Sequence, residues 1–310
     1  MNTVDYDLVI IGGGPAGLTA GLYAARARVN VILIEKVVPG GQILTTDWIE
    51  NYPGFPEGLS GSDLIENMTK QVKRFDLNIE NNEVLSLDLS QQIKSIKLSD
   101  RVIKTYAIII ATGASPKKLG IPGEDRFYGK GVSFCATCDG PFFKDSVVAV
   151  VGGGDTAVQE SLFLTRFAKK VHLIHRRDRL RATKVLQERA LANDKIEFVW
   201  DSVLTGIDGG LSNVEKVVVK NVKTGKSKDL MVDGCFIWIG IQPNNAFIED
   251  AVKLDEYGFV VVDSNMETSV PGVYAAGDGR NTPVRQVTTA VGDATIATLS
   301  AVDYIEGIKK

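Results

Sequence analysis

The chain has 310 residues, 44% hydrophobic and 24% charged, which is long enough for two domains that each bury a core. Its 35 Lys and Arg against 38 Asp and Glu leave a formal charge of −3, so nucleic acid and anionic membranes are not attracted globally and any anion site must be local. Apolar runs such as YAIIIA and VVAVV fall far short of the roughly 20 residues that cross a bilayer, and the start, with Asp5 and Asp7 ahead of LVII, lacks the features of a signal peptide.

The first segment, YDLVIIGGGPAGLTAGLYAARARVNVILIEK, reads as a buried strand, a glycine-rich turn, a helix and a second strand. Gly12, Gly14 and Gly17 form a G-x-G-x-x-G fingerprint directly before the helix, with Pro15 and Ala16 between them. Such glycines serve a tight turn, close approach of backbone to pyrophosphate, and helix–strand contact, while the helix N-terminus offers N–H groups and positive potential. Glu35, 21 residues beyond Gly14, stands where a carboxylate accepts hydrogen bonds from ribose hydroxyls. Short alternating strands follow, EVLSLDL and IKSIKL, then the apolar run YAIIIATGASP.

Next comes SFCATCDGPFF, with Cys135 and Cys138 three apart and Asp139 immediately after. Three uses are open to such a pair: half a zinc site, a structural staple, or a working disulfide. Zinc wants four ligands and there is no second Cys-x-x-Cys or His-x-x-x-His, so no metal is expected. A loop this small constrains little of the unfolded chain, which leaves redox chemistry as the main reading, with Asp139 a reasonable general acid for a leaving thiolate or for a reduced flavin, or a plain turn residue. With three cysteines in all, no secreted disulfide framework is indicated, and the chain reads as cytoplasmic; Cys235, in GCFIWIG, reads as a small buried hydrophobe.

The opening plan then repeats. SVVAVVGGGDTAVQESLFLTRFAKKVHLIHRR has the same strand, turn, helix and strand, with Gly152, Gly154 and Ala157 at the fingerprint positions, Asp155 and Thr156 between them, and 140 residues separating Gly12 from Gly152. The second strand ends differently. His175, Arg176 and Arg177 are followed by Arg179 and Arg181, so cations stand 22 residues and more beyond Gly154, where the first copy has its acid. A 2′-phosphate needs that exchange, since Arg binds it bidentately and a carboxylate repels it; NADPH is therefore expected over NADH. A solvated basic face is the plainer alternative. Hydride from a nicotinamide must be split into thiol chemistry, which a flavin does, so FAD is expected at the first fingerprint.

VEKVVVKNV, KSKDLMV and CFIWIGIQPN complete the second copy, and a probable helix, TTAVGDATIATLSAVDYIEGI, closes the chain. The expected fold is α/β, two Rossmann-like three-layer dinucleotide-binding domains with β-meanders. Residues 1–115 and 244–310 would form a discontinuous FAD-binding domain, and 116–243 an inserted NADPH-binding domain carrying CATC. The side-by-side crossings would suit a hinge.

With GGGPAG, GGQ, ATGA, CATCDG, GGGDTA, HRRDRLRA and GVYAAGD followed by RQV in place, essentially the whole chain resembles the low-molecular-weight thioredoxin reductases of the pyridine nucleotide–disulfide oxidoreductase superfamily. The resemblance implies FAD contacts at Glu35, Lys36, Gly40, Gly41 and Gln42, at Asn51, and at Gly277, Asp278, Arg285, Gln286 and Val287. It implies that Cys138 faces the flavin, that Cys135 attacks the disulfide of thioredoxin, and that Asp139 is the acid. A homodimer and a rotation of one domain against the other are also implied. Alternatives kept open are a flavin-dependent oxidase of a small dithiol, a reductase of another thioredoxin-like protein, and a redox-sensing nucleotide-binding module.

Overall fold

The computed structural model describes residues 4–46, 49, 51–211, 213–248 and 251–310. The chain divides into two units, one of Met1–Asp47, Tyr52–Ser115 and Gln242–Lys310, the other of Trp48–Asn51 and Pro116–Ile241.

The first unit starts with β1 (Tyr6–Ile11), α1 (Pro15–Arg26) and β2 (Val31–Glu35), then α2 (Gly61–Lys73), β3 (Asn78–Asn81), β4 (Val84–Asp88), β5 (Lys94–Leu98) and β6 (Val102–Ile110). β3, β2, β1 and β6 run parallel in that order, and β5 and β4 continue the sheet antiparallel beyond β6. YAIIIATGASP thus supplies only the second half of a longer strand. The first half of β6 pairs with the meander, Lys97 opposite Val102, while its apolar half is buried beside β1. Fully buried Leu8, Ile10 and Leu33 face α1 and α2 on one side; Val9, Ile32 and Ile108 face the meander side on the other. That is why β1 reads as a continuous apolar run rather than an alternation.

The chain leaves through β7 (Ala114–Pro116) and enters the second unit: β8 (Val132–Ser133), α3 (Ala136–Asp139), β9 (Val147–Gly152), α4 (Asp155–Leu164), β10 (Lys170–Ile174), α5 (Lys184–Leu191), β11 (Ile196–Val199), the meander β12 (Ser202–Gly209), β13 (Val214–Asn221) and β14 (Ser227–Met231), and β15 (Gly234–Trp238). Its parallel sheet has the order β11, β10, β9, β15, β8, with the meander as a separate antiparallel sheet. Helices cover one face of the parallel sheet and the meander the other. β16 (Ile241–Pro243) pairs with β7, so the two crossings form one short ribbon. The first unit then resumes with β17 (Val273–Ala275) and the long helix α6 (Val287–Lys309), whose Ala290, Ala294, Ala297 and Ala301 share a core with Ala16, Ala20 and Ala24 of α1.

The two units match down to single hydrogen bonds. β17 lies beside β6 as β8 lies beside β15, and the entry of each strand is fixed by a glycine carbonyl: Gly272 O accepts from Ile108 N–H at 3.0 Å, Gly131 O from Cys235 N–H at 2.8 Å. GVSFCATC therefore occupies in its sheet the place that GVYAAGD occupies in the other. In both, the segment issues from the C-terminal end of a parallel sheet, where α/β folds place their sites.

Candidate functional site

In the first unit the fingerprint turn joins the end of β1 to α1, and two of its glycines are demanded by the protein itself. A Cβ on Gly12 would stand 2.4 Å from Ala111 O at φ +106°, and one on Gly17 would stand 1.8 Å from Gly12 O. Gly14 differs. Its backbone is extended, at φ −71° and ψ −174°, and the nearest atom to an added Cβ is Gly40 O at 3.9 Å. Neither conformation nor packing among the described residues asks for glycine there. A pyrophosphate seated on the N-terminus of α1 fits that space. Glu35 is held beside it, its Oε2 accepting Gly13 N–H at 2.7 Å and Oε1 accepting Val37 N–H at 3.0 Å. Each carboxylate oxygen has a second acceptor position for a ribose hydroxyl. Gly40 N–H donates to Gly13 O at 2.8 Å and brings Gly41 and Gln42 to the turn, whereas the Lys36 ammonium pairs with Glu83 at 2.6 Å. Asn51 is exposed ahead of α2.

β17 leads into the turn Gly277–Gly279, which carries Asp278. Burial pushes the Asp278 carboxyl up to about 6, against the attraction of Arg285 and with Asp293 adding to the rise. The Arg285 guanidinium lies 4.5 Å from the Phe259 ring centroid, and its buried Nε has no hydrogen-bond partner. Gln286 and Thr289 cap α6 reciprocally, so Val287 begins a helix whose N-terminus is fixed. Two residues outside the expected set hold this turn. Asp293 accepts from Gly277 N–H at 3.2 Å and takes the Arg280 guanidinium bidentately at 2.6 and 2.7 Å. Buried Asn245 donates to Gly279 O at 2.9 Å and to Gly258 O at 3.2 Å while accepting from the Thr112 hydroxyl at 3.0 Å. Nothing local in the sequence marks Asp293 or Asn245, whose partners lie outside their own elements.

The second unit repeats the logic with opposite charge. A Cβ on Gly152 would stand 2.5 Å from Ala157 Cβ, but Gly154, again extended, has nothing within 4 Å. The loop after β10 is tied to this turn: Arg181 N–H donates to Gly153 O at 2.7 Å, and Thr183 N–H to Asp155 Oδ1 at 2.6 Å. The Asp155 carboxylate thus holds the cationic loop, and Thr156 is exposed on the first turn of α4. Arg176, Arg177 and Arg181 are exposed. His175 is buried against Gly153, with Nε2 unpartnered; burial and then the nearby Arg181 and Arg177 pull its pKa down, so the ring is neutral at pH 7. His172 is a buried strand residue on β10.

Cys135 and Cys138 form a disulfide with 5.4 Å between their Cα atoms. β8 ends at Ser133, and Cys135 is the N-cap of the single turn α3, its Sγ accepting Cys138 N–H at 3.2 Å with the Thr137 hydroxyl at 3.4 Å. The Trp238 indole donates to Phe134 O at 2.9 Å and steadies the approach to Cys135. Ser133 Oγ accepts Cys135 N–H at 3.0 Å and donates to Asp139 Oδ2 at 2.5 Å. Cys235 is fully buried on β15, and burial raises its thiol pKa far above the usual range, so it stays outside the redox chemistry. No group of His, Cys, Asp and Glu among the described residues could hold a metal ion.

Residues 6–294 match the family described as pyridine nucleotide-disulphide oxidoreductase. The chain is 46% identical to the thioredoxin reductase of Peptoclostridium litorale over 97% of each chain, and 45% identical to that of Peptoclostridium acidaminophilum, again over 97% of each. Among solved structures it is similar to the thioredoxin reductase of Streptococcus pyogenes, with TM-score 0.93 and 45% identity, covering 97% of this chain and 98% of that one.

Proposed function

The chain belongs to the pyridine nucleotide-disulphide oxidoreductase family, and we propose that within it the chain is a thioredoxin reductase, an NADPH-dependent flavoprotein that reduces the disulfide of thioredoxin. The observation that carries this is the Cys135–Cys138 disulfide, closed at the end of a sheet strand in a chain with two dinucleotide turns, one beside an acid and one beside arginines. When bound, FAD takes hydride from NADPH and hands an electron pair to a disulfide, chemistry that no side chain supplies.

The residues divide that work. The Gly12–Gly17 turn and the N-terminus of α1 hold the flavin nucleotide's pyrophosphate, with Glu35 on its ribose. Gly40 to Gln42, Asn51, Gly277, Asp278 and Arg285 to Val287 line the rest. Gly154 and the first turn of α4 would hold the pyrophosphate of NADPH, and Arg176, Arg177 and Arg181, with His175 at the start of their loop, would supply the positive charge for its 2′-phosphate. Cys138 receives the electron pair, Cys135 attacks thioredoxin, and Asp139 supplies a proton. The β7 and β16 crossings serve as the hinge of a rotation between units. No helix among the described residues is long and apolar enough to cross a membrane; a cytoplasmic homodimer is the assembly that fits the family resemblance.

The test is turnover. Purified protein releases FAD on denaturation and turns over NADPH with oxidised thioredoxin as the electron acceptor. Oxidation of a small dithiol to its disulfide by air without NADPH, with no turnover of thioredoxin, favours the oxidase instead.

A further inference from the structure

Ser133 is a polar residue of the redox loop with no task in this scheme, although it is 4% exposed and sits at the last position of β8, paired in register with Phe236. Its hydroxyl does two things at once. The oxygen accepts Cys135 N–H at 3.0 Å, and the proton goes to Asp139 Oδ2 at 2.5 Å in preference to the longer contact with Cys135 O at 3.3 Å. One donor and free lone pairs are what a hydroxyl has, so both are matched to chemistry. An acceptor from Cys135 N–H alone would be an ordinary serine turn; the bond to the carboxylate goes beyond it.

We propose that Ser133 is the positioning residue for proton transfer by Asp139, tying the acid's carboxyl and the backbone of the attacking cysteine to one rigid strand end. This rests on Asp139 being the acid. The Cys135 thiolate attacks one sulfur of the partner disulfide, forming a mixed disulfide as the partner S–S bond breaks, and the released thiolate takes a proton from the Asp139 carboxyl. The Cys138 thiolate then attacks Cys135 Sγ, re-forming the Cys135–Cys138 bond and releasing the second partner thiolate, which is protonated from water, as Asp139 is. Two electrons leave the dithiol and two enter the partner. The bond from Ser133 ties the Asp139 carboxyl to β8, so the geometry of that exchange is set by the strand end.

The experiment compares flavin-loaded wild type, Ser133→Ala, Asp139→Asn and the double variant in thioredoxin turnover across the neutral pH range. Ser133→Ala is expected to lower kcat about tenfold with KM for thioredoxin unchanged. It is expected to move the alkaline fall in rate to higher pH, because a carboxyl that loses a donated hydrogen bond keeps its proton longer. In the Asp139→Asn background it should add nothing. NADPH-driven ferricyanide reduction, which bypasses the cysteines, stays unchanged in Ser133→Ala, and Ser133→Thr, which keeps the hydroxyl, keeps the wild-type pH profile. A wild-type profile in Ser133→Ala, full additivity in the double variant, or a parallel loss of ferricyanide reduction overturns the role of Ser133. Wild-type turnover in Asp139→Asn instead removes Asp139 as the acid, and the proposal with it.

Discussion

Gly14 and Gly154 occupy backbone that any residue adopts, with room for a side chain. Alanine at Gly154 therefore costs the fold less than about 1 kcal/mol, the price of a poorer helix cap, yet fills the space kept for phosphate. KM for NADPH should rise tenfold or more while flavin content and melting hold. Gly17→Ala is the contrast, since its Cβ meets Gly12 O at 1.8 Å and the fold itself should fail. Asp278 gives a pH dependence. Its folded pKa of about 6 stands above the unfolded value near 4, so the unfolded chain ionises first. The flavin-free protein accordingly has its full stability below that unfolded value and loses part of it as pH rises through the folded one. Asp278→Asn should remove the loss, and melting curves of the two flavin-free proteins should diverge with rising pH; parallel curves would refute it. Both fingerprints and the cysteine pair are legible in the sequence because their signal is spacing. Ser133, Asn245 and Asp293 are not. Each is a lone polar residue whose partners arrive only when the strands are assembled.

The loop between β10 and α5 presents its arginines as one element, pinned at Gly153 O and Asp155. Arg176→Ala should lower kcat/KM for NADPH about tenfold or more, the loss of one charge-assisted bond, and leave NADH nearly untouched. Equal losses with both would return the loop to a solvated basic face. At the other site, α6 is joined to the turn bearing Asp278 by the buried Arg280–Asp293 pair. Asp293→Ala leaves a half-buried guanidinium with, among the described residues, only its bond to Asn281 O and should cost about 2–3 kcal/mol, below the full cost of an unpaired buried charge, seen as a lower melting temperature together with weaker flavin retention. The long, apolar elements β1, β9, β15 and α6 could be read from pattern alone. β3, β8 and β11 could not, being two to four residues long in contexts without alternation; only pairing defines them. β6 was half legible, because its first part carries the polar alternation of an edge facing the meander.

The molecule is one plan used twice, and the repeat explains where its chemistry sits. Equivalent strand ends, beside equivalent glycine carbonyls, deliver Asp278 in one unit and Cys135 in the other. The charge at the second strand's end is what distinguishes the two glycine turns, an acid beside one and arginines beside the other. The internal repeat was visible from sequence because both glycine turns survive in it; the equivalence of GVYAAGD and GVSFCATC was not, since the two segments lie on opposite sides of their fingerprints in chain order. The electron path is tested by following flavin absorbance without oxygen as NADPH and then oxidised thioredoxin are added, in wild type and in a Cys135→Ser, Cys138→Ser protein. The expected result is bleaching of both by NADPH and recovery by thioredoxin in wild type alone, with one thioredoxin disulfide reduced for each NADPH consumed. Recovery of the double-serine variant at the wild-type rate, or no bleaching of either, would contradict it.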